Sequence, residues 1–221
     1  MTKPDFKKEK KLWKKGYSVI GIDEVGRGAF AGPLVVGGVV FKNDVDKTSI
    51  DGINDSKLIK PKRRKYLSKK IREISFCTST VTIPVSVINK QGIGNATSIG
   101  FRKVVSKLIN SLKIENLKLK IPKQNIFVLV DGFHVKYIRG VGLKNQEAII
   151  KGDQKSISIA AASIIAKVHR DKLMKKLHKK YPLYGFAKHK GYGTKEHQKA
   201  IKKYGLSKLH RKSFNLLKFT K

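Results

Sequence analysis

The sequence predicts an α/β fold, a mixed central sheet flanked by helices with a small helical C-terminal part, on three observations. Short apolar strand-like runs come first and are then interleaved with helical stretches, the order in which helices layer onto a sheet. Two of the runs stop at acids and glycines. The 221 residues, 40% of them hydrophobic, suffice to bury a sizeable core in one unit, or in a main unit with a small appendage.

Residues 1–16 are Lys-rich, hold Asp5 and Glu9, lack the apolar run of a secretory signal, and read as a basic, flexible arm. Tyr17–Asp23 is an apolar strand ending in acids and glycines, and Leu34–Phe41 is a second strand of Val and Gly. A loop through Asp51 and Gly52 reaches Asp55-Ser56-Lys57. A basic helix then runs from about Pro61 to Ile74, with proline in its first turn. Phe76–Ile83 alternates as a third strand. Two helical stretches follow, the longer from about Asn95 to Leu112. Ile126–Val130 is a buried-type strand stopping at Asp131-Gly132. Ala148–Ile150 ends in Gly152-Asp153, and a long helix spans about Ser156 to Lys180. Residues 17–182 therefore read as the main body. Residues 183–221, with a helix over Lys195–Tyr204 and a basic tail, read as its C-terminal part.

Fifty Lys+Arg against fifteen Asp+Glu give a formal net charge of +35 and a pI near 10.3. Such a field favours a polyanionic partner, because each neutralised phosphate releases condensed counterions. Lys far outnumbers Arg, so part of the excess also fits a solvated surface shaped by nucleotide bias, and charge says nothing about catalysis. Cys77 is the single cysteine, which rules out an intramolecular disulfide and the Cys-pair zinc motifs. The longest apolar stretch, around Pro33 to Phe41, is too short and Gly-broken to span a bilayer. A cytoplasmic protein without a membrane partner is expected, and nothing calls for an obligate dimer, so a monomer is expected.

Most acids, such as Asp44, Asp46, Glu115 and Glu196, sit in Lys-rich polar context and read as surface counter-charges. Four do not. Asp23 and Glu24 end the first apolar strand and Asp131 ends the Ile126–Val130 strand. Ligands of open α/β sheets gather beyond the carboxyl ends of strands. Taken singly, either site reads equally well as a loop or helix cap. Asp171 lies about 20° around its helix from Ala160 and Ile164, on or beside the stripe that packs on the sheet. Alone it reads as a partly buried Asp paired with Arg or Lys, and Arg170 is adjacent. Converging at one sheet edge, the four would suit hard cations such as Mg²⁺ or Mn²⁺ and a two-metal phosphodiester hydrolysis.

Between the acids, Gly26-Arg27-Gly28 allows close backbone approach, with amides and a guanidinium to grip a phosphate or 2′-hydroxyl. Lys188-His189-Lys190-Gly191-Tyr192-Gly193-Thr194 mixes cations with an aromatic suited to stacking on a sugar or base. Alone, these read as a turn and as a basic loop with a core Tyr.

The blocks GIDEVGRGAFAGPLVVGGVVF, DSKLIKPKRRKYL, VLVDG, KGDQKSISIAAASIIAKVHRDKLM and YGFAKHKGYGTKEHQKAIKKYGLSKLHRKSF resemble, in order, the signature blocks of ribonuclease HII, from Gly21 to Phe214. The resemblance implies a ribonuclease H-like fold and an endoribonuclease cutting RNA/DNA hybrids and ribonucleotide-containing duplex DNA. The cut falls on the 5′ side of a ribonucleotide, leaving 3′-hydroxyl and 5′-phosphate ends. It puts the family's four catalytic, metal-holding acids on Asp23, Glu24, Asp131 and Asp171. It puts the 2′-hydroxyl sensor on Gly26, Arg27 and Gly28, and the tyrosine that packs on the following deoxyribose on Tyr192. Lys57, Lys155 and Ser156 fall in matching blocks as phosphate contacts. Ala29 stands where many relatives have Pro, and Lys113–Lys123 matches no block. Arg27 and the short N-terminal segment favour type HII over type HIII. The tail residues Leu216, Leu217 and Phe219 form no convincing pattern for the sliding-clamp contact of archaeal relatives, so that contact is not expected. Two rival readings fit the same residues: a non-catalytic basic RNA- or ribosome-binding protein, and a resolvase-like metal nuclease on the same fold.

Overall fold

The structure, a computed structural model, describes residues 3–45, 51–54, 56–119 and 125–220, without the side chains of 115–119. Asp46, Asp55 and the side chain of Glu115 lie outside the described residues. Five strands form one sheet: β1 (Tyr17–Val25), β2 (Leu34–Phe41), β3 (Ser75–Ile83), β4 (Asn125–Asp131) and β5 (Gln146–Ile149). Their order is β3-β2-β1-β4-β5, with β1, β2 and β3 antiparallel and β4 and β5 parallel to β1, as a mixed sheet requires.

Helices α1 (Lys7–Trp13), α2 (Pro61–Ile74), α3 (Val85–Leu119), α4 (Ile157–Lys180), α5 (Phe186–His189) and α6 (Lys195–Tyr204) flank the sheet. The two helical stretches expected after β3 join as α3, kinked at Gly92. Its Phe101, Val104, Val105 and Leu108 pack with Ile20, Ile22, Val36 and Val40 on one face of the sheet. The small-residue run of α4, Ala160 to Ala162, covers the other with Val19, Val39 and Leu129. Gly21 and Gly37 let that helix close in. A Cβ at Gly21 would lie 2.3 Å from the Ser158 carbonyl carbon, and one at Gly37 2.3 Å from the Ala162 oxygen. This contact of backbone on backbone fixes α4 against the strands that end in acids.

Over its described length the expected flexible arm is a helix docked on the body. Residues 7–13 are helical, and Phe6, Glu9 and Trp13 are buried, the two aromatics in the same cluster as Phe41 and Ile157. Glu9 accepts hydrogen bonds from the Ser158 backbone N–H (2.9 Å) and the Ser156 hydroxyl (2.6 Å), so it caps the N-terminus of α4. Beyond Pro182 the chain packs back on the body: Tyr184 and Phe186 share a cluster with Ala31 and Met174.

Candidate active site

The parallel pairing of β1 with β4 runs in register to Ile22 opposite Val130, so the next residues, Asp23 and Asp131, end neighbouring strands side by side. Parallel neighbours lie about 4.8 Å apart, which brings two carboxylates to one edge. With Glu24, Gly26, Arg27, Gly28, Ser56, Lys57, Ser163, Lys167 and Tyr192 they line a cavity of about 230 Å³. A fourth acid lines it too. Asp153, buried in the turn after β5, was not singled out in the sequence, although a Gly152-Asp153 pair follows β5 closely, much as Asp131-Gly132 closes β4. The Gly152 N–H donates to Asp131 Oδ1 at 2.7 Å, which ties that turn to the site.

The acids strain against one another. Burial raises the Asp23 carboxyl well above its ordinary value. Glu24, Asp131 and, more weakly, Asp153 push the same way, while a hydrogen bond from Ser163 opposes them. Burial pushes Glu24 up to about 7, with Arg27 opposing and Asp131 adding to the rise. Glu24 Oε2 is buried without a hydrogen-bond partner, and Oε1 is 3.7 Å from the Arg27 guanidinium. A buried all-oxygen acidic group with an orphaned acceptor fits a hard divalent cation in its donor chemistry. The ligand geometry is not assembled: among the described residues no three His, Cys, Asp or Glu side chains stand as a group that could hold an ion.

Asp171 shows why. It takes Lys167 Nζ at 2.6 Å and Arg64 at 3.3 Å, and it does not line the cavity. The pairing with basic residues expected of a lone Asp is therefore present, but not with Arg170. That guanidinium is fully buried and donates to the carbonyls of Pro33 (2.9 Å), Lys190 (2.9 Å) and Ala31 (3.3 Å). Arg64 donates as well to the carbonyls of Ser56 and Ile59, so it fixes the loop that carries Lys57. Ser163, Lys167 and Asp171 follow at steps of four along α4, one helix face turned to the site.

Gly26 has φ +94°, and a Cβ there would meet Arg170 Nε at 2.1 Å. Gly28 has open space around it. Arg27 lies over the Phe133 ring, and Tyr192 sits half-buried with the Arg170 guanidinium 5.4 Å from its ring centroid. Arg211, also fully buried, donates to the carbonyls of Arg27 (2.8 Å) and Gly32 and so holds the Gly-Arg-Gly loop from the far end of the chain. The sequence offers Arg170 only as a neighbour of Asp171 and does not mark Arg211, because each bonds main-chain carbonyls that leave no pattern. Lys57 reaches the cavity, and Lys155 is exposed away from its lining. Ser156 corrects an expectation. It is fully buried, donates to Glu9, and caps α4 by accepting from the Ile159 N–H, so its hydroxyl is not open to a phosphate.

Comparison with solved structures sets the fold in context. The chain matches ribonuclease H2 from Pyrococcus horikoshii with a TM-score of 0.69 and 26% identity, covering 92% of this chain and 99% of that one. It matches a chain of the PCNA:RNase HII complex from Archaeoglobus fulgidus with a TM-score of 0.67 and 26% identity, covering 89% and 95%. Fold and acid-lined strand edge together define a ribonuclease of the ribonuclease H class, a phosphodiester hydrolase. Residues 20–217 match the family Ribonuclease HII. Over 210 residues the chain is 44% identical to ribonuclease HII of Caldicellulosiruptor bescii, spanning 95% of this chain and 92% of that protein. The chain belongs to the ribonuclease HII family.

Proposed function

We propose that the protein hydrolyses the RNA strand of RNA/DNA hybrids and cuts duplex DNA on the 5′ side of an embedded ribonucleotide, using Mg²⁺ or Mn²⁺. The observation that carries the reading is the convergence of Asp23, Glu24 and Asp131 in one cavity with Arg27 and Tyr192. Asp23, Glu24 and Asp131 would hold the cations, with Asp171 joining once it leaves Lys167 and Arg64. Bound divalent cations would supply Lewis acidity at the attacking water and the leaving oxygen. Water adds to phosphorus, the bond from phosphorus to the upstream 3′-oxygen breaks, and that oxygen leaves as a 3′-hydroxyl with a 5′-phosphate on the ribonucleotide. Arg27 and the Gly26–Gly28 backbone bind the 2′-hydroxyl, and Tyr192 packs on the deoxyribose that follows. Lys57 and Lys167 bring positive charge to the phosphate.

The rival binding-protein reading has no use for four acids facing one cavity, two of them with raised pKa values. A clamp contact is not part of the proposal. Leu216 is buried and Phe219 stacks on Phe30, which leaves only Leu217 of the three tail residues exposed.

The test is an end-labelled DNA duplex with one ribonucleotide, incubated with Mg²⁺ or Mn²⁺ and wild type or Asp131→Asn. One cut 5′ of the ribonucleotide is expected, abolished by EDTA and in the variant. Tight binding without a cut in either metal would refute it.

A further inference from the structure

Three imidazoles lie behind Tyr192, outside the acidic cavity. His189 and His197 stack with centroids 4.4 Å apart, and His197 Nε2 meets His210 Nε2 at 3.0 Å. The main chain decides which nitrogens carry protons. The Ser207 N–H can only donate, and it reaches His210 Nδ1 at 2.9 Å. That nitrogen therefore keeps its lone pair, His210 is neutral, and its proton is on Nε2. His210 Nε2–H must then donate to His197 Nε2. His197 in turn carries its proton on Nδ1 and donates it to the Tyr192 carbonyl at 2.9 Å. His189 is fixed the same way: its Nδ1 accepts from the Gly191 N–H, and its Nε2 donates to the Tyr184 carbonyl.

The Gly191-Tyr192 backbone is thus held at every polar group. The Gly191 oxygen accepts from Phe30 and Ala31, and the Tyr192 N–H donates to the His189 oxygen. The pinned main chain fixes the Cα–Cβ direction of Tyr192, and its ring rests with the thrice-bonded Arg170 guanidinium 5.4 Å from its centroid.

We propose that His210 and His197 form a relay of two neutral imidazoles in opposite tautomers that sets Tyr192 for reading the nucleotide after the ribonucleotide. Both are positioning residues that act through Tyr192. The inference rests on the role proposed for Tyr192, and its test separates the two.

The first measurement is imidazole ¹⁵N shifts of the histidine-labelled full-length protein at neutral pH. A proton on Nε2 of His210 and on Nδ1 of His197 is expected, and the opposite tautomer at either ring overturns the relay. The second is single-turnover cleavage of a one-ribonucleotide duplex and of a continuous RNA/DNA hybrid. His197→Phe keeps the ring packed on His189 and Phe186 but removes both nitrogens. It is expected to lose about tenfold in preference for the one-ribonucleotide duplex over the hybrid. His197→Asn, whose amide can replace the Nδ1 donor, is expected to restore most of it. Equal losses on both substrates, or an unchanged preference where Tyr192→Ala loses it, overturn the positioning role. An unchanged preference in Tyr192→Ala overturns the reading of Tyr192, and the relay's purpose with it. Should His197→Phe fail to fold, His210→Leu makes the same comparison from the other end, and the shifts of the wild type stand regardless.

Discussion

Gly26 and Gly28 frame Arg27 symmetrically in the sequence, yet their surroundings differ. Gly26 is held at φ +94° against an arginine that three carbonyls immobilise, so Gly26→Ala meets both strain and a clash. We expect it to lose about 1–3 kcal/mol of stability, read by urea denaturation. Gly28→Ala meets nothing within 4 Å and should fold within about 0.5 kcal/mol of wild type. A raised KM with kcat unchanged would then mark Gly28 as a substrate contact, and an unchanged KM would remove it from that role. Glu24 supports a second prediction at this scale. Its folded pKa of about 7 exceeds its ordinary 4.5, so the folded state binds more protons and loses stability as pH rises from 4.5 to 7. In EDTA, Glu24→Gln should be more stable than wild type at pH 8, by on the order of 2 kcal/mol, and equal to it near pH 4. Equal denaturation midpoints at both pH values would show that the buried charge carries no such penalty.

Among the elements, α1 separates the two readings of the N-terminus most sharply. A flexible arm predicts that Trp13→Ala changes stability by less than about 0.5 kcal/mol. A docked helix with Trp13 against Phe6 predicts a loss of about 3 kcal/mol, measurable by denaturant titration. The sequence hid this because the helix's anchor is a glutamate whose partners lie at Ser156 and Ser158, far along the chain. The strands were legible for the opposite reason. β1 and β4 are apolar runs that stop at acids, and a parallel register then carries Asp23 and Asp131 to one edge without further information. Asp153 followed the same rule and could have been found. The engagement of Asp171 could not, since Arg64 is 107 residues away and joins it only through packing. Likewise the C-terminal part showed its helix and its tyrosine, but not that His189, His197 and Arg211 hold the main chain at Gly191, Tyr192 and Arg27.

At the scale of the molecule, the question is whether a net charge of +35 acts as one diffuse field or through particular cations. The cavity offers Lys57 and Arg27 beside the acids, whereas Lys69 lies on the exposed face of α2, paired with Glu73. Each phosphate neutralised on duplex DNA contributes about 0.9 to the slope of log affinity against log salt. Removing a cation that meets a phosphate should therefore lower that slope by about 1 and weaken binding of every duplex alike. For Lys57→Ala, with duplex binding titrated from about 50 to 200 mM salt in Ca²⁺ to suppress cleavage, that drop is the expected result. Lys69→Ala should leave the slope where it was. If both variants shift it equally, the charge works as an undirected field, and Lys57 has no place among the phosphate contacts.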